Sequence, residues 1–200
     1  MAVSNEQAEI VRSVAADLVA TARAHCAMGL AAPQLGIALR IFAVRRPLAR
    51  NEGEARALRT RLLRMSRARR SAATAERPLD YIVAMNPKLL SASPATEIGI
   101  ESCLSVPDYP ALVRRHSAID VEYVDAATGA HVTEHLSGLP AVVFQHELDH
   151  LDGVLLLDRE LRAVARGADA EVEFDAAYQR WMLGAMRFYG GMASGEPKPT

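Results

Sequence analysis

The chain has 200 residues, of which 50% are hydrophobic and 24% are charged. These values are typical of one globular domain and exclude a fibrous or largely disordered protein. Two cysteines exclude a disulfide framework and favour a reducing compartment. The amino terminus lacks a signal-peptide pattern, and no apolar run reaches the length of a membrane span. We therefore expect a cytoplasmic protein without a membrane partner.

The charge is distributed unevenly along the chain. The net charge is -1, yet residues 45–77 contain eleven arginines and three acids, a local balance of +8. We interpret residues 45–80 as an arginine-rich insertion. One interpretation is a solvated loop. The other is a basic patch that contacts RNA, because arginine side chains neutralise phosphates.

The first predicted element is a helix that begins near Ser4 and ends at about Cys26. Its opening letters, SNEQ, fit a capping box. Apolar residues then recur at helical spacing, with two more beside them on the same face. These residues are Ile10, Val14, Leu18 and Ala22, flanked by Val11 and Val19. We expect this face to pack against the core.

Strands are predicted next, at residues 37–44 and 81–87, on either side of the arginine-rich stretch. Residues 117–125 and 130–137 alternate around the turn letters AATG, which predicts a β-hairpin. The stretch from Gly99 to Arg115 is rich in Gly, Ser and Pro and is interpreted as a loop that contains Cys103.

Two helices are predicted in the last third of the chain. Gly138 and Pro140 announce a helix, and apolar residues from 174 to 188 predict a closing amphipathic helix. Residues 191–200 are expected to be disordered. The predicted fold is α+β, a mostly antiparallel sheet packed around a central helix that carries His146 and His150, with N- and C-terminal helices. Residues 1–190 would form this single domain.

The sequence HELDH places two histidines on one side of the predicted helix. His146 and His150 lie four residues apart, so both imidazoles can bind one ion. Glu147 flanks the pair and is suitably placed as a base for an attacking water. A hydrolytic metal site needs a third protein ligand and one open position.

The residues around this motif leave several third ligands open. A metzincin protease needs histidine where Leu156 stands, so that class is excluded. A downstream glutamate, Glu171 or Glu173, would suit a gluzincin but has no supporting motif. Upstream, Cys103 offers a thiolate, which with two neutral imidazoles would complete a three-ligand site.

Three stretches together resemble the motifs of the peptide deformylase family, in the same order. They are AMGLAAPQ at residues 27–34, ESCLS at residues 101–105 and QHELDH at residues 145–150. The resemblance extends over about residues 5–160. Two family glycines are replaced, by Ala27 and Ser102. Family members also usually carry an extra segment before the first helix.

The resemblance implies a set of site residues. Cys103 becomes the third metal ligand beside His146 and His150. Glu147 would be the general base, while the side chain of Gln34 and the backbone N–H of Leu104 would stabilise an oxyanion. Gly29 would let the backbone approach the substrate. The expected substrate-binding residues are Gly29, Met28, Leu139 and Val143.

The implied activity is removal of the formyl group from formyl-methionine at the N-terminus of nascent polypeptides, with release of formate. The family resemblance favours Fe2+, with Zn2+, Ni2+ or Co2+ as alternatives. Two other functions stay open on the sequence alone. One is a related hydrolase of another N-formyl or amide substrate. The other is a catalytically impaired deformylase-like protein that acts as a ribosome- or RNA-binding module.

Overall fold

A computed structural model describes residues 5–46 and 81–159. Helix α1 is Asn5–Ala24, and a short 3-10 helix is Ala32–Leu35. The strands are β1 (Gly29–Ala31), β2 (Ile41–Arg45), β3 (Tyr81–Ala92), β4 (Thr96–Cys103), β5 (Val106–His116), β6 (Ala118–Asp125) and β7 (His131–Ser137). Helix α2 is Leu139–Leu151, and the helical turn α3 is Leu156–Arg159.

The strands form two antiparallel sheets. The larger has five strands in the order β1-β2-β3-β6-β7, and the smaller pairs β4 with β5. In the larger sheet Phe42 lies opposite Ala84, and Val121 lies opposite Glu134. The antiparallel sheet and the helix beside it confirm the predicted fold class for the described residues.

Helices α1 and α2 cover opposite faces of the larger sheet. Because successive strand residues point to opposite faces, Ile41 and Ala43 pack against Leu18 of α1. Phe42, between them, packs against Phe144 of α2 with ring centroids 4.9 Å apart. Helix α2 is therefore held against the sheet by the cluster of buried residues around Phe42 and Phe144.

The smaller sheet contacts α2 and carries Cys103. Cys103, at the end of β4, packs with Ala111 and Val113 of β5 and with Leu156 of α3. Two elements distant in sequence, the β4–β5 hairpin and α2, thus meet at one place in the fold.

The helix prediction for α1 holds with changes at its ends. Ser4 lies outside the described residues, and the helix ends at Ala24 rather than Cys26. Cys26 adopts a left-handed conformation with φ 52°, which cannot continue a helix. Val14 is buried as expected, whereas Ile10, predicted for the same face, is 50% exposed.

Three predicted strand boundaries differ from the structure. The strand predicted at 37–44 begins only at Ile41, after a turn that follows the 3-10 helix. The strand predicted to end at Pro87 continues to Ala92, through an irregularity between Met85 and Lys88 that accommodates the proline. The Gly99–Arg115 stretch, interpreted as a loop, forms most of β4 and β5.

The predicted hairpin and metal helix are confirmed. Strands β6 and β7 pair around the AATG turn, and α2 contains both histidines. Of the predicted insertion at 45–80, Arg45 belongs to β2 and residues 47–80 lie outside the described residues. The closing helix at 174–188 and the tail at 191–200 also lie outside them. Among the helices of the described chain, none combines the length and apolar character needed to cross a bilayer.

Candidate metal centre

Three potential ligands converge between α2 and the β4–β5 hairpin. The Sγ of Cys103 lies 3.1 Å from Nε2 of His150, which lies 3.2 Å from Nε2 of His146. All three ligand atoms lie within 4.8 Å of one another. The structure thus brings Cys103 to the two histidines, as expected from the resemblance.

Helix α2 presents the histidines because its start and its buried face are fixed. Gly138 precedes it with φ 62° and ψ -139°, a conformation that essentially only glycine adopts, and Pro140 fits its first turn. Gln145 ties the helix to β5: its Oε1 accepts from the His116 N–H, and its Nε2 donates to the His116 carbonyl. These contacts set the rotation of α2 about its axis.

Cys103 sits at the turn between β4 and β5 and is buried. Burial would raise the pKa of its thiol, but hydrogen bonds with His146 and His150 and from the Ser105 N–H outweigh it. The pKa falls to about 5. A thiolate is therefore the stable form at neutral pH, and the thiolate is the form that binds metals.

Glu101 holds the far side of the His146 ring. Its Oε2 lies 2.7 Å from Nδ1 of His146, which leaves Nε2 of that ring turned towards Cys103. Burial opposes ionisation of Glu101, yet hydrogen bonds from Arg115 and His146 lower its pKa to about 2. A carboxylate behind a ligating histidine fixes the tautomer of the ring and increases its basicity.

Arg115 is buried and connects the two halves of the site. It donates from Nε and Nη2 to both oxygens of Glu101, at 2.7 and 2.9 Å. Its Nη1 donates to Asp149 of α2 at 2.5 Å, and Arg159 of α3 binds the same carboxylate. Each buried charge in this group has an opposite partner, as buried charges require.

The charge balance at the ligands suits a cation. Burial alone would lower the pKa of His146, but Cys103 and Glu101 raise it to about 10. The ligands therefore attract a proton when no other positive charge is present. A thiolate and two imidazole nitrogens form a donor set that binds divalent transition metals. The residues present fit such an ion.

Glu147 lies beside these ligands and is 3% exposed. Burial raises its pKa to about 7, against the lowering effect of nearby His146 and His150. In the part of the chain that the structure describes, its Oε2 is a buried oxygen without a hydrogen-bond partner. An unpaired buried carboxylate oxygen is costly, and such groups concentrate at functional sites.

Gln34 reaches the site from the 3-10 helix. Its Oε1 accepts the Ala31 N–H at 2.7 Å, so the amide orientation is fixed and Nε2 faces the site. Nε2 lies 3.5 Å from Sγ of Cys103 and 3.1 Å from Oγ of Ser105. A neutral hydrogen-bond donor thus stands directly beside the candidate ligands.

The remaining predicted residues lie around this centre. Leu104 follows Cys103 in the turn and has a side chain that is 46% exposed. Leu139 and Val143 of α2 form an apolar cluster with Met28. Gly29 lies against the side chain of Glu147.

Residues 1–166 match the family model described as polypeptide deformylase. This chain belongs to the polypeptide deformylase family.

Relatives in this family differ in how much they share with the chain. A peptide deformylase of Thermotoga neapolitana is 47% identical over 78 residues, which cover 39% of this chain and 47% of that protein. Peptide deformylase 1 of Streptomyces coelicolor is 38% identical over 149 residues, covering 74% of this chain and 61% of that protein. The chain thus spans about half to three fifths of these two relatives.

A solved structure has the same fold. A class I type b peptide deformylase from Acinetobacter baumannii, with Met-Ala-Ser bound, superposes with a TM-score of 0.59 and 29% sequence identity. The superposition covers 78% of this chain and 86% of that one.

The two replaced family glycines do not strain the backbone. Among the described non-glycine residues, only Cys26 and Asn86 adopt a positive φ, so Ala27 and Ser102 do not need the freedom of glycine. The carbonyl of Ala27 accepts a hydrogen bond from the Tyr81 hydroxyl at 2.6 Å, which holds the entry to β1.

Sequence reasoning assigned no role to Glu101, Arg115 or Asp149. Two of them lie inside the motifs ESCLS and QHELDH, and ligating histidines commonly donate their second N–H to a carboxylate. That rule could have suggested an acid in either motif. The choice of Glu101 required the β4–β5 pairing, in which Glu101 lies opposite Ala111 in the hairpin.

Proposed function

We propose that this chain hydrolyses the N-formyl group of formyl-methionyl peptides and releases formate. The observation that carries the proposal is the convergence of Cys103, His146 and His150 with Glu147 and the Gln34 amide. Membership of the deformylase family supports the same activity. The Met-Ala-Ser peptide bound by the Acinetobacter baumannii relative is what deformylation of formyl-Met-Ala-Ser would leave.

The proposed cofactor is one divalent ion held by Cys103, His146 and His150. Fe2+ is proposed first, and Zn2+, Ni2+ and Co2+ are the alternatives, because each accepts sulfur and imidazole ligands. When bound, such an ion polarises the formyl carbonyl and makes a water more acidic. Glu101 and Arg115 support this role by keeping the His146 ring oriented.

Glu147 is proposed as the general base and acid. Its raised pKa, about 7, allows it to accept and to return a proton near neutrality. It takes a proton from water as the new C–O bond forms at the formyl carbon. It then gives that proton to the amine nitrogen as the C–N bond breaks, so that formate and a free N-terminus result.

Gln34 and the Leu104 N–H are proposed to stabilise the oxyanion. The Nε2 of Gln34 is fixed beside Cys103 by the bond from the Ala31 N–H to Oε1. A preorganised donor of this kind is worth about 3 kcal/mol in the transition state. Leu104 enters by its position in the motif, next to Cys103.

An apolar cluster is proposed to hold the methionine side chain. Met28, Leu139 and Val143 pack together beside the α2 histidines, and Val44 and Val142 flank them. This arrangement offers an unbranched thioether side chain a wall of similar polarity. Gly29, in the next position to Met28, completes the proposed substrate-binding set.

The arginine-rich segment 45–77 is proposed to contact the ribosome or another RNA. The strands before and after it, β2 and β3, pair with each other, and Arg45 lies opposite Tyr81. The Arg45 N–H donates to the Met28 carbonyl at 2.7 Å, so this point lies beside the proposed methionine site. The arginines of this segment would attract the phosphates of RNA.

A formate-release assay tests the proposed function. The protein would be purified without oxygen in the presence of Fe2+ and incubated with formyl-Met-Ala-Ser. Glu147→Gln is the matched control, because it keeps all three ligands and removes the base. Turnover by the parent alone supports the proposal. A protein that binds the ion but releases no formate would favour another amide substrate or an RNA-binding role.

A further inference from the structure

Gly29 and Glu147 are in direct contact across two elements of the site. Gly29 opens β1, the edge strand of the larger sheet, and Glu147 lies on α2. A Cβ atom built on Gly29 would lie 2.3 Å from Oε1 of Glu147 and 2.7 Å from its Cγ and Cδ. Non-bonded heavy atoms attract best at about 3.5–4.0 Å, so a side chain at residue 29 and Glu147 cannot both keep these places.

The backbone conformation of Gly29 does not itself require glycine. Its φ lies outside the positive range that favours glycine, and it pairs in ordinary register with Val44 of β2. The need is therefore for the absence of a side chain. The first neighbour that such a side chain would meet is the carboxylate arm of Glu147.

Glu147 has little other space available. It is 3% exposed and lies among buried residues of α2, and its Oε2 has no hydrogen-bond partner within the described chain to hold it. The Cα of Gly29 is the surface against which the Glu147 side chain lies.

We propose that Gly29 is a positioning residue for Glu147: the bare Cα of β1 sets where the catalytic carboxylate lies beside Cys103, His146 and His150. This inference rests on the proposed deformylase function for its catalytic consequence. It gives Gly29 a role distinct from the proposed one of letting the substrate backbone approach. The two roles predict different kinetic effects.

Gly29→Ala tests the inference, with Gly99→Ala as the matched control. Gly99 lies on β4, and a Cβ there meets nothing within 4 Å. In Gly29→Ala we expect unchanged metal content, an unchanged KM for formyl-Met-Ala-Ser and a kcat lower by about 100-fold, the cost of misplacing a reacting group by about 1 Å. Gly99→Ala should match the parent. A raised KM with unchanged kcat would overturn the inference and favour substrate approach.

A second variant separates a displaced carboxylate from a general disturbance of the site. Glu147→Ala removes the Cγ, Cδ and Oε1 atoms that a Cβ at residue 29 would meet. When Gly29→Ala is combined with Glu147→Ala, it should lower the residual kcat by less than 3-fold further, because the clash and the displaced carboxylate are both gone. Costs that simply multiply would contradict a steric contact between the two residues.

A crystal structure of the Gly29→Ala protein tests the contact without any assay. The inference predicts that the Glu147 carboxylate moves while the three ligand side chains stay in place. An unmoved Glu147, with β1 displaced instead, would overturn it. If the parent protein released no formate, the proposed function would fail, and this structure would still decide whether Gly29 positions Glu147.

Discussion

The Nδ1 atom of His146 lies 2.7 Å from Oε2 of Glu101, so a residue of β4 orients a candidate metal ligand on α2. Glu101 is held in turn by two hydrogen bonds from Arg115. The ring of His146 is therefore fixed before any ion binds. Sites preorganised in this way bind metals more tightly than sites that must rearrange.

Glu101→Gln should weaken metal binding by about 10–100-fold, the usual cost of losing a carboxylate behind a ligating histidine. The amide keeps the volume but loses the charge that pairs with His146 and Arg115. Competition with a chelator of known affinity measures the change. Glu97→Gln, an exposed acid on the same strand, is the control. Equal affinity in the two variants would show that Glu101 does not tune the ligand.

Arg115→Met should lower the free energy of unfolding by about 3–5 kcal/mol, because it leaves the buried carboxylates of Glu101 and Asp149 without their shared partner. Urea denaturation of the metal-free protein measures this. Arg114→Met, the exposed neighbour in β5, should change stability by less than about 0.5 kcal/mol. Similar losses in both variants would mean that the buried ion pairs contribute no more than surface ones.

Gln34→Glu should reduce kcat by about 100- to 1000-fold while the metal content stays the same. The substitution keeps an oxygen that can accept the Ala31 N–H, but it removes the Nε2 donor and adds a negative charge. Steady-state formate release and metal analysis on the same sample measure both effects. Unchanged kcat would exclude Gln34 as an oxyanion donor.

Leu18→Ala should destabilise the domain by about 2–5 kcal/mol, because Leu18 is fully buried between α1 and the sheet. Ile10→Ala, on the same helix, should cost less than about 1 kcal/mol since its side chain is half exposed. Thermal and urea unfolding of the two proteins provide the comparison. Equal losses would mean that Ile10 is packed in the core, as the sequence periodicity predicts, and is not half exposed as in the structure.

The sequence predicted those parts of the site that depend on local spacing. The i, i+4 separation of His146 and His150 requires only a helix, and α2 forms over the predicted residues. The β6–β7 hairpin likewise follows from alternation around one turn. In both cases the informative residues are neighbours along the chain.

The β4–β5 hairpin could not be predicted in the same way. Its prolines and small residues are typical of loops, and its pairing brings Thr96 opposite His116, twenty residues away. A two-stranded ribbon tolerates proline because its outer edges need no partner. Glu101 and Arg115 meet only through this pairing, so their joint support of His146 was not visible in the sequence.

The contact between Gly29 and Glu147 is also a tertiary feature. The glycine was noticed in the motif, but sequence alone suggested a role in substrate approach. In the structure, the side chain of Glu147 on α2 is the group that lies against Gly29 of β1. Motif residues can thus be identified from sequence, while the atom that each one serves is decided by packing.

The most direct test of the account is formate release from formyl-Met-Ala-Ser as Fe2+ is titrated into metal-free protein without oxygen. We predict that turnover rises in proportion to bound metal, saturates at one ion per chain and is abolished in Cys103→Ala. No formate release at full metal occupancy would contradict deformylase activity. Equal turnover in Cys103→Ala would contradict the three-ligand centre on which the account depends.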